Sequence, residues 1–215
     1  MRKIVYLLAF IGFGLVHAGS YEDFFRAVKR DDPGTVQSLL SRGFDANTLD
    51  PRGLHALFIA VQEPSPKVAD VMMRWPKTNV EFRNSKDESP LMIAALKGEL
   101  ELARKLVERG ADVNKTGWTP LHYAATNAHL DVMTMLLDNY AYIDAESPNK
   151  TTPLMMAAQY GNADAVKLLL EAGADPRLKN QLGLTAIDFA TRAGRSDSAE
   201  LIAGALRSQQ PRGKW

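Results

Sequence analysis

The sequence predicts an all-α solenoid of about six stacked helix-turn-helix repeats with short β-turn fingers between them. Three observations carry that prediction. An apolar marker recurs as Phe24, Leu57, Leu91, Leu121, Leu154 and Ile187, at steps of 33, 34, 30, 33 and 33 residues. Fifteen residues after each marker comes a second apolar pair: Leu39-Leu40, Met72-Met73, Leu106-Val107, Leu136-Leu137, Leu169-Leu170 and Ile202-Ala203. Nineteen residues after the marker, three repeats carry a glycine suited to ending a helix: Gly43, Gly110 and Gly173. A period of this length belongs to a unit that can hide its apolar face only by stacking on its neighbours.

The chain opens on an address rather than on structure. Arg2 and Lys3 form a positive start, residues 4 to 16 are an uncharged and mostly apolar run, and Val16-His17-Ala18 offers small residues for cleavage after Ala18. This pattern predicts a secretory signal peptide over residues 1–18. A helix over the apolar run 4–16 rises only about 20 Å, short of the roughly 30 Å hydrocarbon layer. Its removal would take the formal charge from +1 to −1.

The repeats then follow in order over residues 19–206. The first, around Phe24-Phe25-Arg26-Ala27, lacks a Thr-Pro start and reads as an N-terminal cap. In the second, Ala56 to Ala60, His55 stands where threonine would cap the helix. One extra residue between Arg74 and Asn79 explains the step of 34, and Pro76 stands where the helix-ending glycine belongs. The third begins Ser89-Pro90-Leu91-Met92-Ile93-Ala94-Ala95. A shortened turn, Asn114-Lys115-Thr116-Gly117, explains the step of 30 and predicts a locally recessed surface from Lys115 to Trp118. The fourth begins Thr119-Pro120-Leu121-His122-Tyr123-Ala124-Ala125, and Tyr140 takes the place of its glycine, which disfavours a left-handed helix end. The fifth begins Thr152-Pro153-Leu154-Met155-Met156-Ala157-Ala158. The sixth, Thr185 to Ala190, carries Asp188, Arg192 and Arg195 and reads as a C-terminal cap. Residues 207–215 read as a disordered tail.

The chemistry of the start is the same each time. Thr119 and Thr152 can accept a bond from an orphan amide of the first turn, and Pro120, Pro153 and Pro90 sit where a missing N–H does no harm. The Ala-Ala pairs let neighbouring helices approach closely.

The segment from Thr119 to Ala124 matches T-P-L-H-x-A and, with the related starts at Ser89, Thr152 and Thr185, resembles the ankyrin-repeat family across residues 21–206. That resemblance implies a non-enzymatic binding module that holds proteins on its finger tips and on the exposed side of each first helix. Carried onto this chain, the fingers offer Arg52, Leu54, Lys86, Glu88, Trp118, Thr151 and Leu184. The helices offer Gln62, Lys97, Thr126, Asn127, Gln159, Tyr160 and Arg192. Trp118 and Tyr160 are the expected anchors, since aromatics dominate interface hot spots. For Trp118, packing onto the shortened finger is the competing role.

Enzyme chemistry finds no footing in the residues. There is no cysteine, which removes disulfides, thiolate sites and cysteine nucleophiles. No metalloprotease, nucleophile-elbow or phosphate-loop motif occurs. His122 belongs to the repeat signature and is expected to bond near Thr119. His129 falls at the turn between helices. Asp112, Asp144 and Asp175 recur with the repeat and read as turn residues. The helical methionines, Met72, Met73, Met92, Met133, Met135, Met155 and Met156, could in principle offer soft ligands to Cu(I), but methionine at core positions fills gaps. Asn114 and Asn149 each begin an N-glycosylation tripeptide that reads as a chance match, Asn114 being a turn residue. No cofactor or metal is expected.

A charge of +1 with 24% charged residues gives no basic excess for nucleic acid, and no membrane insertion is expected after signal cleavage. An exported chain without cysteine suits a bacterial periplasm. The expected product is a monomer binding one protein partner. An accessory factor for an exported enzyme, for instance in stress defence, and a secreted effector aimed at a host protein are the alternatives.

Overall fold

The computed structural model describes residues 19–208. The predicted signal peptide, and residues 209–215 of the predicted tail, lie outside the described residues. The chain divides into two compact bodies between Pro90 and Leu91. The first contains α1 (19–29), α2 (Pro33–Ser41), α3 (Ala56–Gln62) and α4 (Pro66–Arg74). The second begins with α5 (Pro90–Lys97) and continues through α6 (Leu100–Glu108), α7 (Pro120–Thr126), α8 (Leu130–Asp138), α9 (Pro153–Gln159), α10 (Ala163–Glu171), α11 (Ala186–Arg192) and α12 (Ser196–Ser208). Each predicted repeat is thus one pair of consecutive helices. The only extended pairing among the described residues is a single bridge between Leu49 and His55, so the all-α prediction holds.

Stacking within each body follows the period. In the first, α4 packs on α2 and α3; in the second, α9 packs on α7 and α11, while α8 packs on α6 and α10. The markers Phe24, Leu57, Leu91, Leu121 and Leu154 are fully buried. So are Met72, Leu106, Leu136, Leu169 and Ile202 from the second helices. Each such side chain contributes about 1.5–3 kcal/mol by leaving water. Ile187 is only half-buried, in keeping with its place in the last repeat. Of the helical methionines, all but the half-buried Met156 lie in the core.

The helix starts behave as their residues dictate. Asp32 Oδ1 accepts from the Thr35 amide at 3.1 Å, and Asn162 Oδ1 from the Ala165 amide at 2.9 Å. His55 does replace threonine: its Nδ1 accepts from the Phe58 amide at 3.1 Å. Helix α4 stops at Arg74, one residue before Trp75 and two before Pro76. At the C-terminus the boundary shifts, because α12 runs to Ser208; Arg207 and Ser208 are helical rather than part of a tail.

Tyr140 corrects a second expectation. It takes φ +64°, the left-handed region that Gly43, Gly110 and Gly173 occupy at the same register. The Tyr140 amide donates to Leu137 and the Ala141 amide to Leu136, each at 2.9 Å. The bonds of the helix end therefore form despite the side chain. Tyr140→Gly is expected to raise stability by about 1 kcal/mol, read as a higher midpoint in thermal melting; an unchanged or lower midpoint refutes it.

Side chains tie neighbouring turns together. Asn47 donates to the Lys77 carbonyl and accepts from the Asn79 amide, both at 2.8 Å. Two periods later Asn114 donates to the Tyr140 carbonyl at 2.8 Å and accepts from the Tyr142 amide at 2.7 Å. The Asp144 carboxylate accepts from the Asp175 amide at 3.1 Å. Asn114 is thereby a structural residue, as its turn position suggested.

Candidate partner-binding face

The exposed edge of the first helices begins with how α7 is set. His122 is completely buried. Its Nδ1 accepts from the Thr119 amide at 3.1 Å, and its Nε2 donates to the Thr151 carbonyl at 2.9 Å in the next finger. Burial pushes its pKa down from 6.5 to about 4, so the ring is neutral. Thr126 Oγ1 closes the same helix by donating to the His122 carbonyl at 2.8 Å. One imidazole thus fixes both the start of α7 and its distance from the following repeat.

On that fixed ground lies a shallow pocket of about 240 Å³ lined by Leu96, Trp118, His122, Tyr123, Thr126 and Met156. The Trp118 ring meets His122 edge-on, centroids 5.2 Å apart. Trp118 is half-buried and forms a pocket wall. Within the shortened finger Lys115 is buried, and its Nζ donates to the Thr116 carbonyl at 3.1 Å.

Gly161 sets how closely the next helix can come. A Cβ there would lie 2.6 Å from the Ala125 carbonyl and 2.8 Å from that of Ala157. Gly161→Ala is therefore expected to destabilise by about 2 kcal/mol, since backbone rather than a flexible side chain must move. Chemical denaturation measures this; a loss below 0.5 kcal/mol, on the order of ordinary surface scatter, would show that the helices separate freely.

The predicted finger residues fall into two classes. Arg52 and Lys86 are exposed at turn tips, Arg52 in an ion pair with Asp50 at 2.8 Å. The residue just before each helix cap behaves differently. Leu54 and Thr151 are buried, and Glu88, Trp118 and Leu184 half-buried. Leu54 and Thr151 are thus turned away from the surface on which the sequence pattern places them, and the cause is plain. The returning leg of each finger turns inward to meet the helix. Four of its amides are claimed by a side chain four residues earlier: Leu54 by Asp50, Glu88 by Asn84, Thr151 by Ser147 and Leu184 by Asn180. The tips lie two residues earlier, at Arg52, Lys86, Thr116, Asn149 and Leu182, all exposed.

The expected helix residues are more exposed. In the second body Lys97, Asn127, Tyr160 and Arg192 are exposed, and Thr126 and Gln159 half-buried; Gln62 is exposed in the first. Asn127 Nδ2 donates to the Leu96 carbonyl at 2.8 Å, as does His129 Nε2 at 2.9 Å. Leu96, Tyr123 and Met156 were missed. Leu96 occupies the register of Thr126 and Gln159, and Tyr123 that of Met156, so continuing those two rows would have found them. Among the described residues no three histidine or acidic side chains gather to hold a metal. No helix there is long and apolar enough to cross a membrane.

A helix-pair array with this capping chemistry defines a repeat protein of the ankyrin type, and comparison with known sequences agrees. A family model described as ankyrin repeats (3 copies) matches residues 24–116 and 59–147, and one described as ankyrin repeats (many copies) matches residues 136–190. The chain belongs to the ankyrin-repeat family, whose repeats are protein-interaction modules. It is similar to the nuclear factor NF-kappa-B p105 subunit of Gallus gallus, with 30% identity over 67% of this chain and 16% of that protein. It is also similar to the B-cell lymphoma 3 protein homolog of Mus musculus, with 30% identity over 69% of this chain and 35% of that protein. A third relative is the transient receptor potential cation channel subfamily A member 1 of Homo sapiens, with 29% identity over 82% of this chain and 17% of that protein. The matched region spans about a sixth to a third of the length of these relatives.

Proposed function

We propose that the chain is exported, loses residues 1–18 and works as a non-enzymatic monomer in a bacterial periplasm, seating one protein partner on the exposed face of its first helices. The Trp118 pocket carries this reading. It is apolar, walled by Trp118 and Tyr123, and built on a helix whose start is pinned by buried hydrogen bonds. Rigid aromatic walls of this kind are where interfaces concentrate affinity. The export part rests on the pattern of residues 1–18, and its direct check is the mature N-terminus, expected at Gly19 in a periplasmic fraction. Recovery from the medium would instead favour the effector role.

The binding part is tested with a photocrosslinking amino acid in place of Tyr123, in the full chain and its native envelope. One discrete adduct is expected, with none from the same group at exposed Lys167. Trp118→Ala is expected to weaken the captured complex by about 2 kcal/mol, roughly thirtyfold, with the melting transition retained. No adduct at position 123, or an equal one at position 167, overturns the reading.

A further inference from the structure

Two tyrosines stand where α8 runs into the next finger. Tyr140 is 85% exposed and Tyr142 68%, and neither lines the Trp118 pocket. Tyr140 keeps an aromatic ring at a backbone angle that the neighbouring repeats give to glycine. Asn114 bonds the backbone of both residues, so the rings are displayed from chain that is already ordered. Little conformational freedom remains to be lost when they are covered.

The stretch of chain that carries this pair is acidic. No lysine or arginine occurs between Lys115 and Lys150, while that stretch holds Asp131, Asp138, Asp144 and Glu146. Asp138 is exposed two residues before Tyr140. The repeats on either side place Glu108 and Glu171 at the register of Asp138, and Asp112 and Asp175 at that of Tyr142. Bonds from Asn114 to the Tyr140 loop and from the Asp175 amide to Asp144 hold these three turns side by side. Three cations of these turns are already engaged. Arg177 forks onto Asp175 at 2.8 and 2.9 Å, Lys150 lies 3.8 Å from Glu146, and Arg109 has a partner of its own.

We propose that this edge docks an extended, arginine- or lysine-bearing segment of a partner protein. A cation over a tyrosine face is held by the ring quadrupole, and arginine adds planar stacking. The carboxylates in the three turns favour the encounter and fix its sign. Acidic residues alone would attract any cation; the two rings select one with an apolar or planar body. This surface shares no residue with the Trp118 pocket, so the two can be engaged separately.

The probe is a fluorescein-labelled nonapeptide of alternating arginine and serine, titrated into the full chain with anisotropy as readout. Its counterpart carries glutamate for arginine. Binding of the arginine peptide alone is expected, weakening as salt rises. Tyr140→Gly with Tyr142→Ala should weaken it about tenfold, and Tyr140→Phe with Tyr142→Phe should preserve it. Tyr140→Gly relieves the left-handed backbone, so lost binding cannot be blamed on lost fold. Trp118→Ala should leave peptide binding unchanged, which separates this result from the fate of the pocket. Three outcomes overturn the proposal: no binding of the arginine peptide, binding that ignores both tyrosines, or self-association of the chain that the tyrosine variants abolish.

Discussion

Replacing His122 with alanine is expected to destabilise the fold by about 4 kcal/mol, the largest effect of any single polar substitution considered for this chain. The ring serves two buried groups in two repeats. Thr119 donates its amide to Nδ1 at 3.1 Å and the Thr151 carbonyl accepts from Nε2 at 2.9 Å. Thr119 and Thr151 are themselves 3% and 2% exposed, so water cannot replace the lost partner. Each group left alone costs about 1–3 kcal/mol, and the vacated ring volume adds to that. Glutamine supplies the distinguishing control. Its side chain can reach back to the Thr119 amide as in a capping box, but it cannot at the same time meet the Thr151 carbonyl. His122→Gln should therefore lose about half as much. Urea denaturation of the two variants decides the matter. A loss below 1 kcal/mol for alanine would sink the two-sided role, as would glutamine as harmful as alanine.

The second large effect is a loss of stability in mild acid. The folded value of His122 is near 4 against an ordinary 6.5. Between those values the unfolded chain binds the proton and the folded chain does not. Stability from this residue is thus complete above pH 6.5 and declines as pH falls, by about 3 kcal/mol at pH 4. His55 acts with the same sign, because burial also lowers its pKa. Asp188 extends the decline further down, its carboxyl held low by bonds from the Thr185 amide and hydroxyl. Asp144 opposes it, since burial raises its carboxyl and protonation there relieves the folded state. Urea midpoints at pH 7, 5.5 and 4 should fall in that order, and His122→Gln should flatten the slope. An equal slope in that variant would assign the acid sensitivity elsewhere.

The helix pairs were legible in the sequence because their cause is periodic. Phe24 through Ile187 and the second apolar row each report burial by a stripe that only stacking can hide, and the threonine and proline starts report caps. Which finger residues face out was not legible in the same way. Leu54 and Thr151 sit next to exposed tips in sequence, and the inward turn of the returning leg depends on bonds to Asp50 and Ser147. The spacing of those acceptors is regular, but its direction is not written in residue type. Tyr140 misled for a different reason. Local preference argued against a left-handed turn, and the two helix-end bonds with the Asn114 clamp outweighed it. Gly161 gave no sign at all, because it owes its place to carbonyls of Ala125 and Ala157 rather than to an unusual angle of its own.

The hand-holding of turns by Asn114 and Asp144 has a kinetic consequence. Connecting segments in most proteins wander and must be stilled by whatever lands on them. Here a visitor meets ground that was made firm when the chain folded, so arrival requires no rearrangement. Differences in grip between one visitor and another would then show in how long each stays, and hardly at all in how fast it comes.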